Sequence, residues 1–261
     1  APEESCGLGA VTTCPGSDTL CAGDQCCPGV PQSGGLTFPC PSASPGFNLC
    51  QRPKVESCVP CLCTFDIDRT LTGKQGVVGD TCPDNELFGT VEDTAYGGGN
   101  LTLSPVGESF CYTFCRGCYV GIVTAGDGSG YESQERGILA LKLGSCGKLL
   151  STNWTGPSSL GENRTNCSGF PVDSPLVAGC NDGTKQYAVA SMLDWFREAH
   201  GVTIAAERVW HFDDRVNNIE PFNGTGFNAR MVSCASREGA IGLCGGVDAE
   251  VVGEPGVVTC P

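Results

Sequence analysis

Asp66 and Asp68 stand one residue apart, directly after an apolar, β-prone run at 61–65 (CLCTF). A second pair of carboxylates, Asp213 and Asp214, follows another such run at 209–212 (VWHF). Carboxylates just beyond the carboxyl end of a buried strand lie where an open α/β sheet binds its ligands. The chemistry on offer there is that of oxygen. Lys185 opens a helical pattern, and a cation at a helix N-terminus opposes the macrodipole, so a purely structural lysine is better placed elsewhere. Zinc modules usually mix Cys with His at repeated spacing, whereas this chain has 20 Cys and only two His, His200 and His211. The cysteines are therefore assigned to disulfides and not to chemistry, and His211, inside a strand, to the core.

These residues need elements to position them. The runs at 61–65 and 119–123 (YVGIV) predict buried strands, with Pro60 at a strand start where proline is tolerated. Residues 132–143 predict a helix weakened by Gly137. The clearest helix runs over 185–200, with Val189, Met192, Leu193 and Phe196 on one face and Gly201 as the residue that ends it. Strands at 209–212 and 229–232 follow. Strand, helix, strand with short connections predicts an α/β domain: a parallel sheet flanked by helices in Rossmann-like fashion.

Residues 1–57 lack any periodicity and scatter Cys6, Cys14, Cys21, Cys26, Cys27, Cys40 and Cys50 among Gly, Pro and Ser. Such a segment cannot build a core and is expected to be a small disulfide-rich module. The main domain is expected over 58–234, with surface excursions at about 73–118 and 126–180. A C-terminal extension at 235–261 would be tied back through Cys244 and Cys260. Cys58, Cys61 and Cys63 would anchor the N-terminal module. The even number of thiols points to an oxidising compartment. Sequons at Asn100, Asn153, Asn163, Asn166 and Asn223 add the expectation of N-linked glycans on surface loops. The chain begins at Ala1 with no charged-then-apolar leader, which fits an extracellular protein whose signal peptide has been removed. No apolar run approaches the roughly 18 residues of a membrane span. A net charge of −14 argues against nucleic acid and anionic membranes as partners.

Four segments, in order, resemble the haloacid dehalogenase (HAD) superfamily of phosphatases. FDIDRTLTG is similar to the family's DxDxT motif at the end of the first strand, and YVGIVTAG to the second motif, where Ser or Thr closes a strand. The Thr184-Lys185 helix start resembles the third motif, and VWHFDDRVNNIEPF the acidic fourth. The resemblance covers residues 59–234 and leaves the N-terminal module outside. It implies Asp66 as nucleophile, forming an aspartyl-phosphate, and Asp68 as general acid and then base. Thr124 would donate to a phosphate oxygen, and Lys185 would neutralise the transferring group, with Lys142 and Lys148 as alternatives. It further implies Mg²⁺ held by Asp66, Asp68 through its backbone carbonyl, and one or both of Asp213 and Asp214, with Asn217 or Asn218 within reach. The implied activity is hydrolysis of a small phosphorylated substrate. Arg69 departs from the pattern, since many members carry Gly there.

The Cys-rich module and the sequons also suit another class. This would be a structural glycoprotein of a wall, sheath or filament, or a carbohydrate-binding protein, that keeps the scaffold without turnover. Self-association or glycan contact would then run through residues 1–57.

Overall fold

The computed structural model describes residues 59–157 and 166–261, together with four two-residue strands, Thr12–Thr13, Leu20–Cys21, Cys27–Pro28 and Phe47–Asn48. The rest of the module expected at 1–57, and Asn163, lie outside the described residues. The chain divides into two units, Ala1–Val59 and Pro60–Pro261.

The second unit is an α/β domain built on a seven-stranded parallel sheet. In chain order its strands are β1 (Leu62–Phe65), β4 (Tyr119–Val123), β5 (Trp154–Thr155), β6 (Leu176–Val177), β7 (Val209–Asp213), β8 (Asn228–Met231) and β11 (Val257–Val258). An antiparallel hairpin, β2 (Glu86–Asp93) and β3 (Gly99–Leu103), follows β1, and a second, β9 (Arg237–Glu238) and β10 (Ile241–Gly242), follows β8. Across the sheet the order is β11-β8-β7-β1-β4-β6-β5. The chain thus leaves central β1 for β4 on one side and later returns to β7 on the other. That reversal opens a crevice outside the carboxyl ends of β1, β4 and β7.

Every residue of β1, β4 and β7 is buried, because helices cover both faces. Alternate residues divide between two cores. Cys63, Phe65, Val120, Ile122 and Phe212 pack with Leu139, Ala140 and Leu143 of helix α1 (Gln134–Cys146). Leu62, Val123, Val177 and Val209 pack with Ala188, Val189, Met192 and Phe196 of helix α2 (Lys185–His200). Each fully buried side chain of this kind is worth about 1.5–3 kcal/mol. The one polar side chain inside β1 is satisfied, since Thr64 Oγ1 lies 3.0 Å from His211 Nδ1.

The helix starts differ. Ser133 caps α1, its hydroxyl accepting from Arg136 N at 3.2 Å. Thr184 gives α2 no side-chain cap, and no acidic residue lies in its first turn. Gly201 ends α2 at φ +66°, and the Val202 N–H closes the last turn on Phe196 O at 3.0 Å.

The two stretches expected as surface excursions are partly core. Val91, Leu101 and Leu103 of the first hairpin, with Val106 and Phe110 after it, join the cluster under α1. The second stretch supplies α1 itself and β6, a strand inside the sheet with both residues buried. The expectation for Cys61 and Cys63 is also corrected. They pair with Cys118 and Cys115, at Cα separations of 4.7 and 5.9 Å, and so bind β1 to the segment entering β4. Parallel pairing of β1 with β4 brings these positions side by side, which outweighs their nearness in sequence to the N-terminal module. The other bridges among the described residues are Cys82–Cys244, Cys111–Cys146, Cys167–Cys180 and Cys234–Cys260. Cys244 and Cys260 thus both fasten the C-terminal stretch, which also supplies edge strand β11.

The paired bridges lead to an expected result. They close nested loops of 57 and 52 residues, and a lone cross-link of that span is worth about 4 kcal/mol. With one bridge in place, opening the other releases only the short loop between them. The double change Cys61→Ala/Cys118→Ala should therefore cost about 2 kcal/mol. Thermal melts should shift by about 4–8 °C; a loss matching the full span would show that the bridges act independently.

Candidate functional site

Asp66 directly follows β1, with its N–H bonded to Phe212 O of β7 at 2.9 Å. The chain then makes a single π-type turn over Ile67–Leu71, closed by the Thr72 N–H on Ile67 O at 2.9 Å. Turns of this kind cluster at functional sites. Within it Arg69 sits at φ +65°, in the left-handed region where glycine is cheapest, which explains why Arg is the unusual residue there. Its guanidinium lies 5.0 Å from the Tyr96 ring and 3.8 Å from Glu238, and so points at the two hairpins.

Lys185 is fully buried at the start of α2 and reaches between two strand ends. Its Nζ lies 2.8 Å from Asp66 Oδ1 and 2.5 Å from Asp213 Oδ2. The two carboxylates offset both the desolvation of the ammonium and its clash with the helix dipole, and they hold its pKa above the ordinary lysine value. Lys142 pairs instead with Glu108, and Lys148 lies over the Tyr119 ring at 5.4 Å, so neither alternative shares in this arrangement.

The two carboxylates after β7 have separate tasks. Asp213 has both oxygens engaged: Oδ2 with Lys185, and Oδ1 accepting from Arg215 N at 2.9 Å and Asn218 Nδ2 at 3.1 Å. Burial alone would raise its pKa, but Lys185 and then His211 outweigh it and hold Asp213 ionised. Asp214 accepts from Gly242 N of the second hairpin at 2.6 Å through Oδ2, while its buried Oδ1 has no hydrogen-bond partner. Burial, reinforced by Asp213 and Asp66, pushes Asp214 up to about 8. Asp66 is likewise pushed up to about 7 by burial, with Asp213 adding and Lys185 opposing.

One oxygen from each of Asp66, Asp213 and Asp214 falls within 4.8 Å of the others. Three carboxylates against one lysine leave two negative charges uncompensated when all are ionised. Each like-charge contact at that distance costs ~3 kcal/mol at an effective dielectric of 20. A divalent cation with a preference for oxygen would balance this charge, and the unpartnered Asp214 Oδ1 could serve as a ligand.

The carboxylate of Asp68 turns the other way, into a group with Asp93 and Glu135. A cleft of about 210 Å³ is lined by Asp66 of the first group and by all three carboxylates of the second. Among its walls are Asp66, Asp68, Tyr96 at the tip of the first hairpin, Gly126, Asp182 and Arg215. Arg215 pairs with Asp182 at 2.7 Å and is the cation this cleft exposes among the described residues. Thr124 is wholly buried beneath that lining, and its hydroxyl accepts from Gly126 N at 3.2 Å. Asn218 is the one of the two asparagines that reaches the acidic group, as a donor to Asp213 and Asp182.

Asp93, Glu135, Tyr96, Asp182 and Arg215 were not expected here. Glu135 in a first helical turn reads as an acid favoured by the dipole. Asp93 reads as turn chemistry, since its Oδ1 accepts from Ala95 N at 2.9 Å. Only the adjacency of Arg215 to Asp214 carried a signal. Away from the cleft, the sequon asparagines Asn100, Asn153, Asn166 and Asn223 are all exposed. Among the described residues no helix is long and apolar enough to cross a membrane. The chain matches no known protein-family model, no curated protein sequence and no solved structure.

Proposed function

We propose that the domain is a HAD-type phosphomonoesterase acting through an aspartyl-phosphate on Asp66. The observation that carries this is the Lys185 bridge between Asp66 and Asp213, beside the unpartnered Asp214 oxygen, at the reversal of strand order. In this mechanism an Asp66 oxygen attacks phosphorus while the ester P–O bond breaks, and the leaving alkoxide takes a proton from Asp68. Asp68 then removes a proton from water, whose oxygen attacks the acyl phosphate and releases inorganic phosphate and the Asp66 carboxylate. Lys185 opposes the rise in the Asp66 pKa that burial causes and faces the charge of the transferring group. Asp213 fixes Lys185, and Thr124 positions the loop at Gly126. Asp66, the backbone carbonyl of Asp68 and Asp214 are the groups that would hold Mg²⁺. Mg²⁺ would supply charge neutralisation where a carboxylate and a phosphate otherwise repel.

The small cleft and the half-buried Arg215 in its wall suit a compact phosphomonoester. The disulfides suit an oxidising, extracellular setting, and the exposed sequons suit N-linked glycans. Purified protein is expected to hydrolyse a generic aryl phosphate with Mg²⁺ and to lose that activity in chelator. Hydrolysis that chelator leaves unchanged, or no hydrolysis with Mg²⁺ present, would sink the reading.

A further inference from the structure

We propose that Asp68, Asp93 and Glu135 form a second divalent-cation site, of the oxygen-rich kind that takes Ca²⁺, separate from the carboxylates around Asp214. One oxygen from each falls within 4.8 Å of the others. They come from three segments: the turn after β1, the end of β2 and the first turn of α1.

Unlike the first group, this one has no lysine or arginine in an ion pair with any member among the described residues. The nearest cations are committed elsewhere. Arg69 lies against Tyr96 and Glu238, and Arg136 donates to Asp127 O at 2.7 Å while its guanidinium lies 4.8 Å from the Trp154 ring.

A second observation points to a ligand. Glu135 is 1% exposed and lines the cleft, yet its Oε1 has no hydrogen-bond partner. Its other oxygen accepts from Ser129, whose hydroxyl oxygen also accepts from Thr94 N at 2.9 Å, so the pocket is built from the hairpin side as well. Asp93 is fully buried and spends only one hydrogen bond on each oxygen, from Ala95 N and from Gln75 Nε2, both at 2.9 Å. A carboxylate accepts about four, so both oxygens keep capacity.

Three carboxylates brought together from three segments select the kind of cation. Ca²⁺ accepts several carboxylate and carbonyl oxygens in irregular geometry, whereas Mg²⁺ demands a near-ideal octahedron. A bound ion would clamp the first hairpin onto the sheet and, by holding the Asp68 carboxylate ionised, would compete with its proposed role as general acid.

Calorimetric titration with Ca²⁺ tests this. Glu135→Gln is expected to bind one equivalent fewer than the wild-type chain, while Asp214→Asn keeps the equivalent that Glu135→Gln loses. Equal stoichiometry in the wild type and Glu135→Gln would overturn the proposal, whatever Asp214→Asn does. Hydrogen exchange on the wild type supplies a measurement that needs no variant. Ca²⁺ added to chelated protein should slow exchange over 86–103, and unchanged exchange there would overturn it too.

Discussion

Asp66→Asn is expected to lower aryl phosphate hydrolysis by about 10³-fold or more while leaving the fold intact. Asparagine keeps the shape of the side chain but removes the oxygen proposed as nucleophile, so on that reading no acyl phosphate can form. The fold should tolerate the change because Lys185 keeps Asp213 at 2.5 Å. Neutralising Asp66 also relieves its repulsion with Asp213 and Asp214, which helps to hold both Asp66 and Asp214 above the ordinary carboxylate range. Asp68→Asn separates the two roles. An aryl leaving group departs without a proton, so Asp66 should still be phosphorylated, but water is no longer activated and the phosphoenzyme should accumulate. Acid quenching and mass spectrometry should then find the phosphoryl group on Asp66. Wild-type rates in Asp66→Asn, with or without trapped phosphoenzyme, would exclude Asp66 as nucleophile.

The carboxylates of this site were legible in the sequence because of where parallel sheets put them. Strands covered on both faces read as continuous apolar runs, so β1, β4 and β7 stand out, and the first charged residues after β1 and β7 mark their carboxyl ends. Helix α2 was legible for another local reason, its one-sided apolar face ending at Gly201. The first hairpin was not, because most of β2 is exposed and its buried Val91 and Asp93 make too short a pattern to register. With the hairpin unseen, Asp93 and Tyr96 had no reason to stand near Asp68. The strands β5 and β6 have two residues each, too short for any periodicity, and are defined by their neighbours in the sheet. Cysteine pairing is wholly tertiary: Cys61 finds Cys118 because β1 lies beside β4. The choice between Asp213 and Asp214 was open in the sequence and depends on a distant residue. Gly242 in the second hairpin takes one Asp214 oxygen and leaves the other unpartnered, while Lys185 claims Asp213.

Lys185→Met should be the most destabilising single change in the domain core, costing about 3–5 kcal/mol. Methionine fills the volume, so the loss is electrostatic: Asp66 and Asp213 would face each other and Asp214 with no cation between them. For a domain of this size the melting temperature should fall by about 6–20 °C. Adding Asp213→Asn should recover part of that loss, since it removes the carboxylate that Lys185 held most closely, and the double variant should lose less than the two single changes together. The pH dependence has a definite sign. Without Lys185 the buried carboxylates rise in the folded state, which then binds more protons than the unfolded chain, so stability falls as pH rises from the ordinary carboxylate range. The deficit should therefore shrink on acidification. The chelated wild type should show a milder form of the same trend, since Asp66 at about 7 and Asp214 at about 8 are already raised by burial. Mg²⁺ should flatten that slope in the wild type by taking the place of the protons. A Lys185→Met melt that is independent of pH, or close to that of the wild type, would mean that the lysine does not neutralise this cluster.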